Sequence, residues 1–189
     1  MKIKQILIGW EQFSQGQYKK RWFFMDIGSI LSKVAIKLPY LEKIVYQINF
    51  EYIQEADEVA FLKGKTIFYT NRLFLDFSDE EQAFIVAHEI IHFFLHKKSV
   101  LKDLSKFDED LANFVEDAQI NQILIKQNFI VPKDSVLLED ALTYEFDDLY
   151  NKLLPMKKEL LSGDNWSKYS NISDILNSRG IITNQNKGL

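Results

Sequence analysis

Between Ala83 and Leu95 the only residues that are not apolar are His88, Glu89 and His92. A helix that is apolar on every side has no face to give to water, so it must run through the middle of a core. The residues ahead of it set its start. Ser78 is followed three positions later by Glu81, a capping-box pattern, and Asp79 and Glu80 put negative charge where a helix N-terminus favours it. The expectation is a helix from Asp79 to about Lys97 with the rest of the chain wrapped around it. Two imidazoles and a carboxylate buried in such a helix need partners. Either they bond to one another, or they hold a metal.

His88-Glu89-Ile90-Ile91-His92 has the HExxH spacing. Residues four apart lie one helical turn apart on one face, about 6 Å along the axis. Two imidazoles so placed can reach one ion at about 2.0–2.1 Å each. Glu89 lies about 100° further round, beside the ion and not on it. There it can take a proton from a water that the ion has made more acidic. A catalytic zinc site takes three protein ligands and keeps a fourth position open. The chain has no cysteine, so thiolate ligands and disulfides are excluded. His96, the third of three histidines, lies two turns from His88, roughly 12 Å along the axis, too far for one ion unless the helix breaks. It is expected at the helix end or in the outer shell. A carboxylate from a packed neighbouring helix is the better candidate, and NFVEDAQINQIL offers two. Asp117 shares a face with Asn121, whereas Glu116 points about 100° away. Spacing leaves both open as the third ligand.

The remaining chain predicts an α+β protein, mostly helical, with a small hairpin. Residues 1–38 read as mostly helical, with Ile30, Leu31, Val34, Ala35 and Leu38 on one face, and Pro39 ends that pattern. LEKIVYQI reads as a short helix that gives way near Ile48. VAFL and TIFYT flank Lys63-Gly64-Lys65, a hairpin signal, and NFEYI is a candidate third strand. A helix is expected from about Phe107 to Lys126. A further one is expected over ALTYEFDDLYNKLL, with Leu142, Phe146, Leu149 and Leu153 in one stripe. The expected organisation is one domain over residues 1–160 and a loosely ordered tail over 161–189.

Composition narrows the function classes. The chain has 189 residues, 47% of them hydrophobic, enough for a real core, and a net charge of −4. Nucleic acid is not the expected partner of such a charge. MKIKQILIGW is too short an apolar run for a signal core or a membrane span, so a cytoplasmic location without membrane contact is expected.

In order along the chain come Pro39-Tyr40-Leu41, Thr66-Ile67-Phe68-Tyr69-Thr70-Asn71, Ser78-Asp79-Glu80-Glu81, Ala87-His88-Glu89-Ile90-Ile91-His92, Asp117-Ala118-Gln119-Ile120-Asn121, Pro132 and Leu149-Tyr150. This series, spanning about residues 38 to 153, resembles the bacterial metallopeptidase domain that usually precedes a von Willebrand A-like module. Only HExxH is sharp by itself; the other pieces gain weight from their order. The resemblance implies a zincin-like fold, zinc-dependent peptide hydrolysis and Asp117 as the third ligand beside His88 and His92. Three departures accompany it. The 189 residues leave no room for the A-like module, Glu116 stands where the family has alanine, and the family's later histidine sits one place beyond His96.

The expected protein is therefore a zinc metallohydrolase, in the first place a peptidase, with Glu89 as its base and a peptide or protein as its substrate. An extended substrate would pair with the strand around residues 66–71. Tyr144 and Tyr150 are candidate oxyanion donors, although a tyrosine in such a helix is more often a core residue. The rival expectations are a metal-stabilised binding or regulatory module that does not cut, and a structural helix protein without metal.

Overall fold

The computed structural model describes residues 26–97, 107–133 and 135–162. The expected helical part before residue 26 and the tail beyond 162 lie outside the described residues. So does the side chain of His96.

Asp26 caps the first helix, α1 (Ile27–Lys37), by accepting a hydrogen bond from the Gly28 N–H at 3.0 Å. Ile27, Ile30, Leu31 and Val34 form its buried stripe. Pro39 ends the helix as the sequence predicts, and the chain turns through a 3-10 segment (Pro39–Leu41) into α2 (Glu42–Val45). Three short strands follow, β1 (Asn49–Tyr52), β2 (Ala60–Lys63) and β3 (Thr66–Tyr69). They lead through α3 (Arg72–Leu75) into α4 (Asp79–Lys97). After α5 (Glu109–Lys126) come α6 (Phe146–Leu153) and α7 (Lys157–Leu160). The protein is α+β, with one small sheet among helices in the described residues. None of the described helices is long and apolar enough to cross a membrane.

β2 and β3 form the expected hairpin. Lys63 pairs with Thr66, so Gly64 and Lys65 make a two-residue turn. Gly64 has φ +63° and Lys65 has none of the positive φ values, the signature of a type II′ turn with glycine first. NFEY is indeed a strand, and it pairs parallel to β3 on the side away from β2. The sheet order is therefore β1-β3-β2. This corrects one expectation. The strand at 66–69 is the central strand, bonded on both sides, and has no edge to offer a substrate. The outer strand in contact with α4 is β2.

α4 starts as a capping box. Ser78 Oγ and the Ser78 N–H both donate to Glu81 Oε2, at 2.7 and 2.9 Å. α4 then touches α1, α2, α3, β2 and α5, the central position its all-apolar composition demands. The last expected helix is shorter than its sequence stripe. Residues 141–143 make a single 3-10 turn, Tyr144 and Glu145 are extended, and α6 begins only at Phe146. Leu142 is only half-buried, so the apolar stripe that drives the helix starts at Phe146.

Among the described residues the interior consists of two apolar clusters. The first gathers α1, the sheet, α3 and most of α4 with Ile120, Leu124 and Phe129. The second gathers Leu111, Phe114, Val115 and Ala118 with α6 and α7. α5 thus serves the second cluster with its first half and the first cluster with its second half. Residues 116 to 121 lie where the two meet.

Candidate metal centre

α4 and α5 pack against each other, and all the polar residues of the centre project from this contact. His88 and His92, one turn apart on α4, meet Asp117 of α5. The Nε2 atoms of the two rings are 2.9 Å apart, and Asp117 Oδ1 lies 3.0 Å from His88 Nε2 and 2.9 Å from His92 Nε2. These three residues form the one group among the described residues whose ligand atoms converge enough for a metal ion. Asp117 is partly exposed, so the centre opens to one side.

The outer nitrogens decide what the inner ones present. Asn121 Nδ2 donates to the Val136 carbonyl at 2.9 Å, which fixes the amide with Oδ1 toward His88 Nδ1, 2.8 Å away. A carbonyl oxygen only accepts, so His88 Nδ1 carries a proton, and when the ring is neutral its Nε2 is a lone pair. His92 Nδ1 lies 2.9 Å from Glu116 Oε2 and donates to that carboxylate in the same way. Two imidazoles and a carboxylate then direct electron pairs at one point. Only a cation can fill it, a proton or a metal. Three such atoms 2.9–3.0 Å apart can share one ion at about 2.0–2.1 Å from each, so the residues present fit a metal of the zinc type.

The acid–base properties follow from the same contacts. Burial alone pulls the His92 pKa down, but its hydrogen bonds to Asp117 and Glu116 outweigh this and push it up to about 10. In the metal-free protein a proton on His92 Nε2 therefore takes the central position. Burial raises the Asp117 pKa, and the hydrogen bonds from the two rings reverse this and hold it well below the usual carboxylate range. Glu89 differs. Burial pushes its pKa up, the charges of His88 and His92 push it down, Asp117 pushes it up again, and the net shift is upward. A backbone hydrogen bond from Leu62 reaches its carboxylate. Glu89 is not one of the three converging residues and lines the same cleft.

A cleft of about 570 Å³ opens over the centre, with His88, Glu89, Asp117 and Asn121 in its floor. Phe77, Phe84, Ile85 and Pro132 give it apolar walls, and Val59 lies at its rim. The Thr70 N–H donates to the Val59 carbonyl at 3.0 Å. Alternation along the strand then turns the peptide groups of Phe61 and Lys63 toward β3 and those of Ala60 and Leu62 outward. The outward edge of β2 is the one that meets Glu89 through Leu62.

A family model described as "putative metallopeptidase domain" matches residues 32–172, about three quarters of the chain. The chain belongs to this family. Membership supports metal-dependent hydrolysis as the class of activity, and the His88, His92 and Asp117 group could hold a metal ion. No curated protein matches the chain.

Other expected residues fall elsewhere. Glu116 does not point away. It is 2% exposed and takes the outer nitrogen of His92. The 100° step that removes it from the inner ligand set carries it one ring atom further out. Tyr150 is a core residue whose hydroxyl accepts the Asp108 N–H at 2.7 Å and helps to fix the start of α5. Tyr144 packs on the second cluster, and its carbonyl accepts from Gln119 Nε2 at 2.8 Å. Neither lines the cleft. The orienting role of Asn121 was written in the sequence only as a residue one turn after Asp117.

Glu116→Gln tests the outer contact. The amide accepts the His92 proton more weakly than a carboxylate, so metal affinity is expected to fall about 10–100-fold. Competition with a chromophoric chelator measures it. An unchanged affinity would mean that Glu116 only fills the core.

Proposed function

We propose that this protein is a zinc-dependent peptidase of zincin-like build, in which His88, His92 and Asp117 hold the metal and Glu89 is the general base. The observation that carries the reading is the convergence of three lone pairs whose tautomers are locked from behind by Asn121 and Glu116. Family membership supports the same class. Because α5 belongs to both apolar clusters, we read the described residues as one unit.

The metal, when bound, supplies Lewis-acid chemistry, acidifying a water and polarising a carbonyl. The chain's own residues do the rest. Glu89 accepts the proton of the attacking water and passes it to the leaving amine. Burial, which raises its pKa, makes it a better proton acceptor than an exposed carboxylate. The outward peptide group of Ala60 and the Leu62 carbonyl offer an extended peptide partners on β2 and not on β3, while the Leu62 N–H stays with Glu89.

The test uses protein purified without a histidine tag. Elemental analysis is expected to find about one zinc per chain. Cleavage of a broad peptide mixture, read by mass spectrometry, is expected to stop with a chelator and return with zinc. Substoichiometric metal with no chelator effect on stability would sink the metal reading.

A further inference from the structure

The charges that line the cleft are not equally engaged. Of its acidic residues, Asp117 belongs to the ligand triangle and Glu89 is the proposed base. Glu81 is held by the Ser78 hydroxyl and N–H in the capping box. Asp76 Oδ2 accepts from Arg72 Nε at 3.1 Å. The cationic residues are Arg72 and Lys133. Arg72 uses Nε on Asp76 and Nη1 on the Asp57 carbonyl, at 3.0 Å. No described residue takes up Nη2. Lys133 is exposed and enters no ion pair among the described residues. The donors left over for a ligand are therefore Arg72 Nη2 and the Lys133 ammonium.

The placement of Arg72 gives this a direction. Asp57, which its guanidinium grips, stands two residues before Val59 at the cleft rim. Leu62, three residues beyond Val59, meets Glu89. Asp57 is thus five residues from Leu62, at most roughly 17 Å of extended chain. A peptide running alongside has Arg72 about five residues from the bond beside Glu89. Two anchors already fix the guanidinium, so little further entropy is lost when its outer nitrogen takes a partner.

We propose that Arg72, assisted by Lys133, makes this cleft selective for peptides that carry a carboxylate about five residues from the scissile bond. The selection rests on the hydrolase reading for the identity of the cleft as the substrate site. An acidic side chain and a free C-terminus present the same group, and the experiment separates them.

The probe is a panel of fluorescein-labelled octapeptides in which one glutamate is walked through an alanine–phenylalanine background. Each is paired with its glutamine twin, and each is made as free acid and as C-terminal amide. Binding is read by anisotropy on the full-length, zinc-loaded Glu89→Gln variant, so that no turnover is needed. At one or two adjacent positions the carboxylate is expected to bind roughly tenfold tighter than its neutral twin. In Arg72→Gln that preference should vanish while the neutral twin binds within about twofold of before. Lys133→Gln should reduce the preference. Arg72→Lys keeps the charge without the two-pronged grip, should weaken the preference, and serves where Arg72→Gln does not fold. Preference that follows the glutamate identifies a side-chain carboxylate; preference that follows the free acid identifies the terminus. Twins that bind alike, a preference untouched by Arg72→Lys and Lys133→Gln, or no binding by any peptide overturns the proposal. Turnover of the same peptides by the parent protein is read separately. An inactive parent with a charge preference removes the peptidase reading and leaves the carboxylate site standing.

Discussion

Glu89→Gln is expected to lower peptide hydrolysis by about 10²–10⁴-fold while the metal-to-protein ratio stays unchanged. The expectation rests on which residues converge. Glu89 is not one of the group formed by His88, His92 and Asp117, so the substitution removes no ligand. Glutamine has the same shape, and its carbonyl can still accept the backbone bond from Leu62. What it loses is basicity. A parallel measurement of kcat and of zinc content separates the outcomes. Activity within a few-fold of the parent would remove Glu89 as the base. A parent inactive against varied peptides, with zinc tightly held, would instead favour a metal-stabilised binding module.

The second large effect belongs to Asp117→Ala. An outer-shell change costs about 10–100-fold in metal affinity, so loss of a ligand should cost more than about 10²-fold. Stability reports it. A site filled at a thousand times its Kd adds about 4 kcal/mol. At about 2–4 °C per kcal/mol, chelation of the parent should lower Tm by about 8–16 °C. In Asp117→Ala the chelator should shift Tm by almost nothing. A large chelator shift that persists would mean that Asp117 is no ligand.

The same pair sets a pH dependence. In the metal-free protein the folded His92 pKa is about 10, above its ordinary 6.5. Its stabilisation is therefore fully present below pH 6.5 and is lost as pH rises through about 10. The folded pKa of Asp117 lies below its ordinary 3.8, so its share is present above pH 3.8 and is lost as pH falls toward the folded value. A metal displaces the His92 proton, so the Tm gained on zinc addition to the metal-free parent should grow from pH 6.5 upward. A gain that shrinks over that range would contradict a proton held at the centre.

Much of this site was legible because its signals are local. Ser78 and Glu81, the HExxH spacing and the Lys63-Gly64-Lys65 turn each lie within a few residues, and each forms as its spacing predicts. What was not legible depends on partners far along the chain. Glu116 looked averted because the helical angle was measured from the metal, when the relevant target was the outer nitrogen of His92. β3 looked like an edge because nothing in NFEY says on which side of the hairpin it adds, or that it adds parallel. The stripe from Leu142 looked continuous because periodicity does not register that Tyr144 and Glu145 are extended. His88 and Asp117, 29 residues apart, met as expected, yet spacing alone had not separated Asp117 from Glu116.

The two apolar clusters share α5, and the centre straddles their junction. Its imidazoles ride on the first cluster through α4, while its carboxylate comes from the half of α5 that the second cluster holds. A metal held there as proposed would work as a rivet across a joint. Whatever shears α6 and α7 against α4, a partner pressing from outside or a weakened second cluster, would move the donors apart and loosen such an ion without touching any ligand. Its tightness would then be a property of how the two clusters are seated.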